Sequence, residues 1–147
     1  MPNHCYQQVR LSGPRAMIGH LYENVWVTCS EERRFCDVVI PLPLAAAACA
    51  YDWRCDNWGT KWDVVDVQIV KEFAKSSSKL LYGKHGDFAS FTFKCWTAWS
   101  PPIPVWKKLQ FLGISVQASY QDEGGSFEGF FSNGKERSWK PKVLEAQ

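Results

Sequence analysis

Two segments of this chain alternate with a period of two, and nothing else in it constrains the fold as tightly. In residues 62–73, Val65, Val67 and Ile69 share one side and Asp66 and Gln68 the other. In residues 87–99, Phe91, Phe93 and Cys95 oppose Thr92 and Lys94. Successive side chains of a strand point to opposite faces, so each segment reads as a strand with one dry and one wet face. Antiparallel sheets packed on one side give this clean alternation. The turn-rich stretch "AKSSSKLLYGKHGD" between them makes the pair a long hairpin.

The flanking segments fill in the rest. Residues 4–11 form a first strand, with Cys5, Gln7, Val9 and Leu11 on one side. Gly13-Pro14 stops it, and Pro14 suits the first turn of a helix running to about residue 24. Met17, Ile18, Leu21 and Tyr22 form that helix's apolar stripe. Residues 25–56 read as a long crossover; "DVVIPLPLAAAACAYDW" begins extended and ends helical. Ser100-Pro101-Pro102 places a capping hydroxyl before proline, which is a helix start. Val105, Leu109 and Leu112 follow at helical spacing, and Gly113 ends the helix. Residues 114–120 alternate as a strand, Gly124-Gly125 turns the chain, and residues 126–131 return. The basic, proline-interrupted tail from about residue 132 to 147 is expected to be peripheral.

The resulting order, β-α-crossover-β-β-α-β-β, predicts an α+β ferredoxin-like split β-α-β sandwich: an antiparallel sheet, two helices on one face and an extra edge hairpin. Its expected core is Val65, Val67, Ile69, Phe91, Phe93, Val105, Leu109, Ile114, Val116 and Ala118. The 147 residues make one domain. Seventeen basic against fifteen acidic residues argue against a dedicated duplex-DNA binder, while leaving room for a small anionic ligand.

Six cysteines, Cys5, Cys29, Cys36, Cys49, Cys55 and Cys95, show no C-x-x-C and no zinc spacing. The polar start "MPNHCYQQVRLSG" lacks the apolar core of a secretory signal. Free thiols in a reducing cytoplasm are therefore expected. The longest apolar run, "VVIPLPLAAAACAY", is broken by Pro41 and Pro43 and is too short for a bilayer.

Eight tryptophans are several times ordinary usage, and they cluster. Trp53, Trp58 and Trp62 fall in ten residues; Trp96, Trp99 and Trp106 fall in eleven. Antiparallel pairing of the central hairpin brings "NWGTKWD" beside "CWTAWSPP", above the second helix's start. The ordinary reading is an aromatic mini-core plugging the sandwich. The sharper reading is a ligand site: aromatic planes stack on bases, and a helix N-terminus with a lysine suits phosphate. Its candidate residues are Arg54, Trp58, Gly59, Lys61, Trp62, Trp96, Trp99 and Ser100, with Gly59 admitting the ligand close to the backbone. At the opposite end, His4 with Asp122 and Glu123 reads as an acid–base set or, more ordinarily, a charged turn. His20 and His85 stand isolated. Asp52, Asp56 and Asp63 near Arg54 read mainly as solvated loop carboxylates. No catalytic triad, P-loop, metal or cofactor motif appears.

The blocks "MPNHCY", "IPLP", "DWRCDNWGTKWD", "FKCWTAWSPPIPV" and "YQDEGGSFEGFF" resemble, in order, the YubB-type ferredoxin-like family of bacteriophages and plasmids. The resemblance spans most of the chain; its specific parts are W-G-T-K-W and T-A-W-S-P-P. It implies a ferredoxin-like fold and a mobile-element origin, and supplies no catalytic residue. The crossover here is compact where the family often carries a longer insertion. The expectation that follows is a non-enzymatic counter-defence protein of the host bacterial cytoplasm. It would sequester a nucleotide-derived immune signal, a small anionic ligand. The alternative partner is a host defence protein or single-stranded nucleic acid on the same aromatic surface. A homo-oligomer is compatible with either; a membrane is not.

Overall fold

A computed structural model describes residues 3–23, 35–81 and 84–140, with side chains left aside over 71–87. Its elements are β1 (His4–Pro14), α1 (Arg15–Tyr22), α2 (Phe35–Val39), a 3-10 turn (Leu44–Cys49) and α3 (Ala50–Trp58). Then come β2 (Val65–Leu81), β3 (Lys84–Ala98), α4 (Ile103–Phe111), β4 (Ser115–Asp122), β5 (Glu128–Ser132) and β6 (Lys135–Trp139). The strands form one open six-stranded sheet in the order β2-β3-β1-β4-β5-β6, with every neighbouring pair antiparallel. This is an α+β architecture, consistent with the ferredoxin-like class. No described helix is long and apolar enough to cross a membrane.

Alternation decides which face of the sheet is dry. Cys5, Gln7, Val9 and Leu11 of β1 are buried, as are Phe91, Phe93 and Cys95 of β3 and Val116, Ala118 and Tyr120 of β4. They join Ile18 and Leu21 of α1, Phe35 and Val39 of α2, and Val105 and Leu109 of α4 in one core. Trp106 of α4 is fully buried there, against Tyr120 and Phe131. Gln7 is one of the buried polar side chains. Its amide donates to Thr97 Oγ1 and its oxygen accepts from the Cys95 thiol, so the buried group is paired.

Several expectations need correction. β2 and β3 do pair as antiparallel neighbours, but the hairpin runs to Leu81 and from Lys84, through the stretch whose Ser, Lys and Gly content reads as a turn. Val65 is 36% exposed and not core. A register shift lies between Val65 and Gln68, and Asp66 adopts φ 50°, so the phase slips and Val64 takes the buried place. Val67 and Ile69 pack on the core only in part. Residues 135–139, expected in the peripheral tail, add β6 to the sheet. The signal was present: Asn133-Gly134, with φ 49° and 87°, is the left-handed pair that a two-residue hairpin turn demands.

Candidate functional site

Six of the seven residues of the "NWGTKWD" heptad are tied to the scaffold. Asn57 Nδ2 donates to Trp53 O at 2.9 Å. Trp58 is 4% exposed, its indole N–H donating to Ile40 O at 2.8 Å and its ring edge-on to Trp53. Gly59 ends α3 in the left-handed region at φ 75°, and its carbonyl accepts from Ser100 Oγ. Thr60 Oγ1 accepts from Ala98 N–H at 3.0 Å and donates to Ala98 O at 3.1 Å, standing in for a strand partner at the end of β3. Lys61 O accepts from Arg54 Nε at 2.7 Å. Asp63 accepts from Cys36 N–H, Asp37 N–H and Val64 N–H at 2.8, 3.0 and 2.7 Å. The heptad is thus a clasp that joins α2, α3, the end of β3 and the approach to α4.

The clasp reassigns half of the expected ligand set. Trp58 is core and presents no ring face outward. Gly59 does admit a close neighbour, but that neighbour is Pro104: a Cβ at this position would lie 2.8 Å from Pro104 Cδ. Arg54 spends its Nε on the clasp backbone. Ser100 does not cap α4, which takes Pro102 as its N-cap with no side-chain hydrogen bond. The anion site expected at that helix start is also absent. Pro101, Pro102 and Pro104 have no N–H, and the N–H groups of Ser100, Ile103, Val105 and Trp106 already donate to Ala98 O, Pro101 O and Pro102 O.

Lys61, Trp62, Trp96 and Trp99 remain toward solvent, and the structure adds His4. Lys61 Nζ lies 5.1 Å from the Tyr51 ring centre and 5.6 Å from that of Trp99. Trp99 is 46% exposed, with φ 66°. His4 sits between Trp62 and Trp96, 5.5 and 5.9 Å from their ring centres, and Trp96 meets Tyr6 at 5.1 Å. The expectation that His4, Asp122 and Glu123 gather at the far end from the tryptophans is overturned. β1 runs antiparallel to β3, so His4 pairs with Ala98 and the two ends are one. His4 Nδ1 lies 3.4 Å from Glu123 Oε1, which also accepts from the His4 backbone N–H at 2.9 Å, and Glu123 N–H donates to His4 O at 2.9 Å. Asp122 instead closes the following turn, accepting from Ser126 N–H. Asp63, grouped with Asp52 and Asp56 as a loop carboxylate, is mostly buried, and desolvation raises its pKa.

Cys5, Cys36, Cys49, Cys55 and Cys95 are free thiols; Cys29 lies outside the described residues, and His85 lies in β3 among the residues whose side chains are not described. Burial pushes the Cys5 thiol up to about 12 and holds Cys36 and Cys95 well above the usual range, so these three are inert packing groups. Among the described residues, no three His, Cys, Asp or Glu gather as a metal site. No family model, curated protein or solved structure matches the chain.

Proposed function

We propose that this protein binds a nucleotide-type ligand without transforming it, at the corner where Lys61 meets Tyr51 and Trp99, next to the Trp62–His4 contact. The observation that supports this reading is a cation set among outward rings: Lys61 Nζ over Tyr51 and Trp99, with Trp99 half exposed. A planar base gains roughly 1–3 kcal/mol by stacking on such a ring. A lysine head beside it meets a phosphate as a point charge. Trp99 also carries backbone strain on the order of 1–3 kcal/mol, as a bulky residue in the left-handed region. Its N–H is anchored to Asn3 O at 2.8 Å, and the strained turn holds the ring outward.

The sheet order fits the ferredoxin-like split arrangement: β3 lies between β1 and β2, β1 lies between β3 and β4, and β5–β6 is the added hairpin. Fold does not fix function, and the wider role rests on the resemblance to phage and plasmid proteins. On that basis the protein is a counter-defence factor of the host cytoplasm that sequesters a nucleotide-derived immune signal.

The test mixes the protein with a panel of nucleotides and recovers ligand after denaturation. Intact ligand is expected. Lys61→Ala and Trp99→Ala should each weaken retention at least about fivefold while leaving the melting temperature nearly unchanged. Ligand recovered in altered form would make the protein an enzyme and direct attention to His4 and Glu123. Retention of no nucleotide at all ends the reading.

A further inference from the structure

The sheet face opposite the helices is lined unlike the rest of the surface. Directly paired residues share a face, so the register aligns the outward side chains in rows across five strands. One row runs Trp96, Tyr6, Gln121, Glu128 and Trp139; the next runs Lys94, Gln8, Ser119, Phe130 and Arg137. A third runs from Thr92, which is buried, through Arg10, Gln117, Ser132 and Lys135. Rings stand at both sides. Tyr6 and Trp96 meet on β1 and β3; Phe130 and Trp139 meet at 6.0 Å on β5 and β6, 38% and 46% exposed. Between them lies a polar floor that opens into two troughs of about 480 and 250 Å³. Strand spacing puts β1 and β5 roughly 10 Å apart. Four cations, Arg10, Lys94, Lys135 and Arg137, occupy these rows, and Glu128 is the carboxylate among them, held by the Trp139 indole at 2.6 Å. The whole chain is nearly balanced in charge, so this face is a local basic excess.

We propose that this open face is a platform for single-stranded nucleic acid. Bases stack on the Tyr6–Trp96 and Phe130–Trp139 pairs, and phosphates meet the cations beside them. The inference rests on the nucleotide reading above and names its ligand class. A sheet with rings on its central strands takes unpaired bases in this way, because every base has a stacking face whatever its sequence. A second copy of the chain fits less well: a two-fold contact sets a patch against itself and would oppose like charges. A protein partner wants a contiguous apolar centre, whereas here a polar floor separates the rings.

The test measures fluorescence anisotropy of labelled thymidylate and uridylate strands, from one to eight nucleotides, with the full chain. Affinity should rise with length over about four nucleotides. Four phosphate contacts give a log–log salt slope of about −2.8, so affinity should fall roughly 50-fold between 50 and 200 mM salt. Phe130→Ala should weaken binding about 5- to 150-fold, and Arg10→Gln should flatten the slope by about 0.7. Circular dichroism checks that both variants stay folded. Mononucleotide binding with no gain in length overturns this inference and leaves the corner intact. Strand binding that needs Phe130 but ignores Lys61→Ala keeps the platform and removes the corner. Equal affinity for duplex, or a dimer that Phe130→Ala dissolves, overturns the platform.

Discussion

Asp63 shows how far one side chain can reach in this fold. Its carboxylate accepts from the N–H groups of Cys36 and Asp37, 27 and 26 residues earlier in the chain. It therefore caps α2 from outside the helix, doing what a local capping residue ordinarily does. Replacing it with Asn leaves one oxygen where three N–H groups converge and turns a donor toward at least one of them. Asp63→Asn should cost about 1–3 kcal/mol, read by urea unfolding at neutral pH. The pH dependence has a definite sign. Burial raises the folded pKa above the ordinary value of about 3.9. The folded state holds this proton more tightly, so the group's contribution is full below the unfolded pKa and is lost as pH rises through the folded one. The wild-type advantage over Asp63→Asn should shrink as pH climbs from 4; an advantage that grows over that window would contradict the burial argument.

Among the elements, the helix ends and turns depend on approaches that no local pattern records. Gly59 is required twice over, by its left-handed φ and by Pro104 at 2.8 Å from a would-be Cβ. Gly59→Ala should lower stability by about 1–3 kcal/mol, seen as a drop in melting temperature, and Gly113→Ala less, since nothing lies within 4 Å of its Cβ position. Strands β1, β3 and β4 and helices α1 and α4 were legible because each shows its period: Val9 and Leu11, Phe91 and Phe93, Val116 and Ala118, Ile18 and Leu21, Val105 and Leu109 alternate or recur on the side that is buried. The phase of β2 was not legible, because a bulge at Asp66 shifts it without leaving a mark in the hydrophobic pattern. For the site, sequence pairing brought "NWGTKWD" and "CWTAWSPP" together correctly. It missed the division of labour, since Trp58 and Trp62 look alike in sequence and differ only in what the crossover lays over them. The placement of His4 follows from the antiparallel direction of β1 against β3, which no local pattern records.

Taken whole, the molecule has one dry face and one wet face, and adjacent residues of β5 report which is which. Phe130 pairs with Ser119 and Arg137 on the open side, and Phe131 pairs with Ala118 and packs fully buried against Trp106. The two substitutions should therefore differ sharply although the side chains are identical. Phe131→Ala removes a filled core volume and should cost roughly 3–5 kcal/mol, on the order of 10 °C in melting temperature for a chain of this size. Phe130→Ala removes a partly exposed ring and its contact with Trp139, and should cost only about 0.5–1.5 kcal/mol. Thermal unfolding of the two variants side by side measures the difference. Were Phe130 the costly one, β5 would be out of register by one residue, and every side chain in its rows would change face. The platform would then lose Phe130 to the core, and the aromatic pair with Trp139 could not form. The same pair of melting curves thus tests the two-sided architecture and the placement of its open-face rings at once.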